Sequence, residues 1–279
     1  MKIFLRSPLR CELLTRLVRL LDRVEGEQVL EMVVDDAMSA GLRHANDGGG
    51  AAWHSATISE QHVELLSETG GAAVQVNELP VLPFEDGSFD AVVMSEMLEY
   101  VEDPAALMEE VHRVLAPKTR LVLHVRRKRR TVIGFFRRLA RLTDPTRPLL
   151  HPGFTPAELF DALKDGFDVR DTVMYGRFFS EFADLLVELF AGVIPWSCEP
   201  AALTENRLRR ALTVYTAFTP VFWLARILDA IFFFLPAHHL VVRAQRRMLW
   251  VPRMTPRLRD GRNIAEATLG YKIGVSSFD

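Results

Sequence analysis

The stretch Val29 to Gly41, VLEMVVDDAMSAG, closes an apolar run on acidic residues and then turns into a helix-like segment. That is the order of a buried strand, a tight turn and a helix, where cofactor-binding α/β folds use glycines so that the backbone can approach a ligand. Here the turn reads Val33-Val34-Asp35-Asp36-Ala37, with a side chain at every position. The run RRKRR, Arg126 to Arg130, is the densest charge in the chain, and Arg137, Arg138 and Arg141 follow it. A solvated face is one reading of this run. The other is a contact for a phosphate-bearing small molecule or lipid, favoured over nucleic acid because the aromatic interleaving of single-strand binders is thin. His238-His239 have no third ligand at a recognisable spacing, so the sequence assigns no metal.

These residues need a scaffold, and the spacing of apolar positions supplies one. CELLTRLVRLLD, residues 11 to 22, reads as an amphipathic helix, and Gln28 to Val34 as a buried strand. Ser59 caps a helical segment that stops at Gly70-Gly71, and AAVQV, 72 to 76, is a short strand. A turn at Glu85-Asp86-Gly87-Ser88 opens the apolar run Phe89 to Met94. Pro104 starts a helix that Ala116-Pro117-Lys118-Thr119 ends, before the strand Arg120 to Val125. Strands this short and this apolar, alternating with helices, predict an α/β fold: a doubly wound, mostly parallel sheet buried on both faces. Asp90 and Asp103 read as structural, at a strand start and before a helix.

The segment LPFEDGSFDAVVMSEMLEYVEDPAALMEEVHRVLAPKTRLVLHV resembles the second half of a class I methyltransferase of the type 11 kind, which uses S-adenosylmethionine (SAM). HPGFTPAELFDALKDGFDV resembles that family's next helix and sixth strand, so the likeness runs from about residue 25 to 175. It implies a seven-stranded Rossmann-like sheet with SAM as cofactor. Glu31 then falls on the family's acidic position, Val33, Asp35 and Ala37 on its three glycines, Thr57 on the ribose-binding acid, and Glu78 beside the adenine. Ser95, at the end of the strand that delivers the substrate-facing loop, completes the cofactor-binding set that the resemblance implies. Three added side chains and the Asp35 and Asp36 carboxylates make the cofactor loop degenerate. Glu96, Tyr100 and His124 are the candidate general bases, with a ring packed at the strand edge as the plainer reading of Tyr100. Arg126, Arg127, Arg129 and Arg130 are the candidate anion contacts.

Residues 1–177 are thus expected to form the methyltransferase-like domain, 178–238 a helical insertion or lid, 239–247 the antiparallel last strand, and 248–279 a tail. Phe218, Val221, Phe222, Trp223 and Ile231 to Phe234 make the insertion unusually aromatic, suited to a lid, a dimer interface, an interfacial anchor or plain burial. The uncharged runs Ala211 to Ala225 and Ala230 to Val242 fall short of the roughly 18 residues of a membrane span. A net charge of −2 excludes a generally basic nucleic-acid binder. Cys11 and Cys198 match no disulfide framework, and the charged N-terminus is a poor signal peptide, so cytoplasmic placement is expected, with peripheral membrane contact as an option. Two functions stand: methyl transfer from SAM to a small or lipid-like acceptor, and a catalytically silent relative, with the cofactor lost, that binds a ligand, membrane or partner.

Overall fold

The computed structural model describes residues 7–34, 36–57, 63, 72–76, 80–128, 133, 149–191 and 205–251. Of the candidate site residues, Asp35, Glu78, Arg129 and Arg130 lie outside them, as do the side chains of Val33 and Ala37. So do the tail from 252 onward and, apart from Val63, the helix expected from Ser59.

The strands are β1 (Gln28–Val33), β2 (Ala52–Thr57), β3 (Ala72–Gln75), β4 (Phe89–Ser95), β5 (Leu115–Arg126), β6 (Phe167–Tyr175) and β7 (His239–Arg246). They form a seven-stranded sheet in the order β3-β2-β1-β4-β5-β7-β6. Pairing is parallel as far as β5, and β7 runs antiparallel between β5 and β6. The three most apolar runs in the sequence, β1, β4 and β5, are neighbours at the centre, as predicted. The reason is visible residue by residue. Leu30, Met32, Val92, Met94, Leu121 and Leu123 pack into one core, while Val29, Ala91, Val93 and Val122 pack into a second. Successive side chains on a strand face opposite sides, so a strand covered on both sides must be apolar throughout. Each fully buried Leu, Val or Met stabilises the fold by about 1.5–3 kcal/mol.

The helices are α1 (Pro8–Leu21), α2 (Asp36–Ala45), α3 (Pro104–Val114), α4 (Pro156–Leu163), α5 (Phe178–Ala191), α6 (Glu205–Ala217) and α7 (Thr219–Ile231). Asp103 caps α3 by accepting from the amides of Ala105 and Ala106, and Thr155 and Glu158 cap α4 reciprocally. Asp90 accepts from the Gln28 amide at 3.0 Å and so ties β4 to β1. The fifth strand starts earlier than expected, at Leu115, which pairs with Phe89 before a register shift. Lys118 takes φ +65° inside the four residues that read as a turn, so the chain bends there without leaving the sheet.

Between β6 and β7 the chain makes α5, α6 and α7, whose contact side is a third cluster of Ala183, Val187, Tyr215, Phe222 and Ala225. No single described helix is long and apolar enough to cross a membrane. Arg209–Ala217 and Thr219–Ile231 together would pass by length and composition, but they meet at 47°.

Candidate functional site

Ser95 ends β4, His124 lies near the end of β5, Tyr175 ends β6, and His239 begins the antiparallel β7. All four therefore stand at the carboxyl edge of the parallel strands. Ser95 is the register partner of His124, and Tyr175 of His239. Val93, Val122 and Val241, two residues back on their strands, belong to the core beneath α1, so the polar row continues an apolar one on the same face.

The row is joined by hydrogen bonds. Ser95 Oγ lies 3.0 Å from His124 Nδ1, His124 Nε2 lies 3.1 Å from His239 Nδ1, and His239 Nε2 lies 2.8 Å from Glu181 Oε1 on α5. The Tyr175 hydroxyl reaches His124 Nε2 at 3.2 Å. A carboxylate only accepts, so His239 donates from Nε2 and its neutral ring accepts at Nδ1. That assigns the Nε2 proton of His124 to the link with His239 and leaves His124 Nδ1 to accept from Ser95. All four members of the chain are buried. Gly176, at φ +64°, turns the backbone beside it: a Cβ there would stand 2.8 Å from the His239 ring and 3.1 Å from Glu181 Oε1.

One row further out, Glu96 takes φ +58°, a left-handed conformation that a side chain normally avoids. Both its oxygens accept from Arg126, at 2.9 Å and 2.7 Å. Glu99, in the short turn Leu98–Tyr100, accepts from the Arg126 amide at 2.7 Å through Oε1, while its Oε2 has no partner among the described residues. Burial would raise the Glu96 carboxyl, but the Arg126 guanidinium outweighs it and holds the group at about 2. Burial, and then the Glu96 charge, push Glu99 up to about 8. Burial, and then the neighbouring His239, hold His124 down at about 3, and burial raises the Tyr175 phenol.

Glu96, His124 and His239 each bring a donor atom within 4.8 Å of the others, which is a possible cation site. Both Glu96 oxygens, however, are taken by Arg126. The two imidazole centroids are 5.3 Å apart at a tilt of 27°, wider than the 3.1 Å nitrogen separation by nearly two ring radii. The rings thus meet edge to edge, with their nitrogens aimed at each other. That suits a shared proton better than two lone pairs converging on an ion.

The other predicted residues divide. Tyr100 is half-buried at the end of its turn. Arg127 is half-buried, its amide donating to His238 O at 2.8 Å, and Lys128 pairs with Glu158. The described part of the basic run is therefore largely committed within the fold. Glu31 is wholly buried at β1, where its Oε1 accepts from Ser39 (2.5 Å), from Arg43 Nε (2.9 Å) and from Ser55. Its Oε2 has no partner among the described residues, so the acidic position keeps one buried acceptor that SAM or its loop could use. Thr57 is buried at the end of β2, with its carbonyl held by the Val76 amide at 2.9 Å, and supplies no carboxylate for a ribose. The acidic position fits the cofactor and the ribose position does not. Two described cavities, of about 520 Å³ beside Arg113 and Trp250 and about 390 Å³ beside Arg120 and Arg243, open at the opposite edge of the sheet.

A family model described as a methyltransferase domain matches residues 23–123. Over these residues the chain is similar to a methyltransferase domain, and its seven-stranded sheet has the Rossmann-like fold of the methyltransferases. The S-adenosylmethionine-dependent methyltransferase from Mesorhizobium loti is 18% identical, with 84% of this chain and 96% of that one covered at a TM-score of 0.51. The [4+2]-cyclase SpnF is 18% identical over 85% and 82%, at 0.52. A chain from the complex of the Haloferax volcanii methyltransferase activator Trm112 with a methyltransferase is 17% identical over 82% and 88%, at 0.50. At such identities the likeness is one of fold, and SpnF is named for a cyclisation. The curated relative, an uncharacterized 37.1 kDa protein in transposon Tn4556 of Streptomyces fradiae, is 42% identical over 50 residues, 18% of this chain and 14% of that protein. This chain thus spans a small fraction of that relative.

Ser95, Glu96 and His124, expected from the sequence as separate candidates, lie together at the carboxyl edge. Sequence reading missed Glu181 and Tyr175 and gave His239 no role. His239 lies 115 residues from His124 and 58 from Glu181, and only the antiparallel return of β7 unites them.

Proposed function

We propose that this chain transfers a methyl group from SAM to an oxygen or nitrogen of a small or lipid-like acceptor at the carboxyl edge of its sheet. The observation that carries this reading is the buried chain Ser95–His124–His239–Glu181, which ends on a hydroxyl where the substrate-facing loop begins. Bound SAM supplies a sulfonium methyl open to in-line attack, and Glu31 is the described residue placed to support it. Positioning is most of what such a displacement needs, together with a route for the acceptor's proton.

Glu96, held near 2 by Arg126, is a poor base, and its role is to anchor Arg126 at the edge. His124 cannot hold a second proton, since burial keeps it near 3. The hydrogen-bond chain removes that difficulty. The acceptor's proton passes to Ser95 Oγ as Ser95 gives its own to His124 Nδ1. The Nε2 proton of His124 moves to His239 Nδ1, and the Nε2 proton of His239 moves to Glu181. One proton leaves the acceptor, one arrives on Glu181, and both imidazoles end neutral.

A second reading, a silent scaffold, draws on Glu31 being occupied by Ser39, Arg43 and Ser55, and on the buried Thr57. Calorimetric titration with SAM and with S-adenosylhomocysteine separates the two. Saturable binding of both supports the enzyme. No heat with wild type, but binding after Asp35→Gly with Ala37→Gly, assigns silence to the loop.

A further inference from the structure

The helices between β6 and β7 bury three carboxylates on α5 and leave large apolar side chains exposed. On α5, Glu181, Asp184 and Glu188 are 2%, 1% and 1% exposed, whereas Phe182 and Phe190 are open to solvent. Residues 181, 184 and 188 recur at the spacing of one helical face, so that face, turned toward the body, carries the carboxylates. On α7, Phe222 and Ala225 are buried, while Trp223, Leu224, Ile227 and Ile231 form an exposed stripe. The chain then turns through Phe233 and Phe234, 70% and 69% exposed. A soluble helix ordinarily keeps its charges outside and its large apolar side chains inside, and α5 departs from this by burying all three of its carboxylates while Phe182, Leu189 and Phe190 stay exposed.

What covers this face can be read from its charges. Among the described side chains of α5, α6 and α7, the exposed charges are Arg209, Arg210 and Arg226. Arg226 sits one turn from Trp223, and Arg210 donates to the carbonyl of Phe190, so both flank the exposed rings. The remaining carboxylate, Asp229, is partly buried and accepts from the amides of Phe179 and Ser180 at 3.0 Å and 3.1 Å. The exposed charges described on this face are thus all positive. A second copy pressed against it would set arginine against arginine around the same aromatic patch. An anionic surface that accepts apolar side chains satisfies both features.

We infer that the outer face of α7 and its following turn, with α5 beside them, docks on the surface of an anionic lipid bilayer. α7 has 13 residues, against the roughly 20 needed to span, and the 47° bend keeps α6 and α7 from forming one rod. The helix lies in the interface, with Trp223, Ile227 and Phe233 among the acyl chains and the arginines at the phosphates. Docking there does not depend on SAM, so it stands or falls apart from the proposed reaction.

The test is flotation of the full chain with phosphatidylcholine vesicles made with and without phosphatidylglycerol, alongside tryptophan emission compared with Trp223→Phe. The expected result is binding only with the anionic lipid, a blue shift that Trp223→Phe removes, and reversal by salt. Arg209→Gln, Arg210→Gln and Arg226→Gln together should weaken binding roughly a hundredfold, and Ile227→Ser with Phe233→Ser should abolish it. These side chains are exposed, and unchanged circular dichroism confirms that the variants fold. Equal binding to neutral vesicles overturns the inference. So does a stable dimer that shields Trp223 and does not float, or flotation that appears only once residues 252–279 are removed.

Discussion

Glu96 and Glu99 stand three residues apart, both accept from Arg126, and are held in opposite charge states. The Arg126 guanidinium takes both oxygens of Glu96 and holds it ionised, with a value near 2. The Arg126 amide reaches only one oxygen of Glu99, whose burial beside the Glu96 charge keeps it protonated up to about 8. One carboxylate answers the guanidinium, and a second in the same buried place would have no cation of its own.

Glu99 therefore weakens the fold as pH rises. Below its ordinary value of 4.5 the folded and unfolded chains are both protonated there. Between 4.5 and about 8 the unfolded chain ionises and the folded one does not, so stability is lost across that window. Glu99→Gln should match wild type near pH 4 and be increasingly more stable toward pH 8, measured by denaturant unfolding. An offset that did not vary with pH would show that the carboxyl is not protonated in the fold.

Glu96 and His124 act in the other direction. The folded value of His124, about 3, lies below its ordinary 6.5, so its contribution is complete above 6.5 and is lost as pH falls toward 3. That of Glu96 is complete above 4.5 and lost toward 2. Wild type should lose stability on acidification from pH 6.5 downward, and His124→Gln should flatten the upper part of that decline. The His124 ring should remain neutral at pH 5 by nuclear magnetic resonance.

The Glu31–Arg43 pair is buried on both sides. Arg43→Met should cost about 3–5 kcal/mol, because it leaves a buried carboxylate without its cation. Adding Glu31→Gln should recover much of the loss. If the double variant were as unstable as the single, the cost would lie in packing, not charge.

Gly176→Ala combines a left-handed φ with contacts to His239 and Glu181 that leave no room for a methyl group. A loss of about 1–2 kcal/mol is expected from the backbone alone. Displacement of the His239–Glu181 bond should appear as changed chemical shifts of the His239 ring in nuclear magnetic resonance spectra.

The sheet was legible because burial on both faces writes itself into sequence as uninterrupted apolar runs: β1, β4 and β5 could be placed at the centre from Val, Leu and Met alone. The start of α3 was legible from Pro104, whose chemistry is local. The site was legible only where it too is local, at Ser95 and Glu96 after β4 and at His124 on β5. His239 and Glu181 looked like an isolated histidine pair and an ordinary helical acid, since nothing nearby in sequence marks a hydrogen bond made across a sheet. The insertion's aromatics were visible as composition. Which of its faces is exposed depends on the packing of α5, α6 and α7, and no sequence period distinguishes a helix turned outward from one turned in.

The place of β7 between β5 and β6 imposes an order on how this molecule comes into being. Residues up to Arg126 can form five strands as they leave the ribosome, but the edge of β5 stays unpaired until residues 239–246 arrive. Until then β6 has no neighbour in the sheet. The intervening chain, with its exposed phenylalanines, is made while that edge is open, which favours early encounters with chaperones or with other nascent chains. Because His239 is the first residue of that late strand, the hydrogen-bond chain at the carboxyl edge is completed by the last strand to join the sheet.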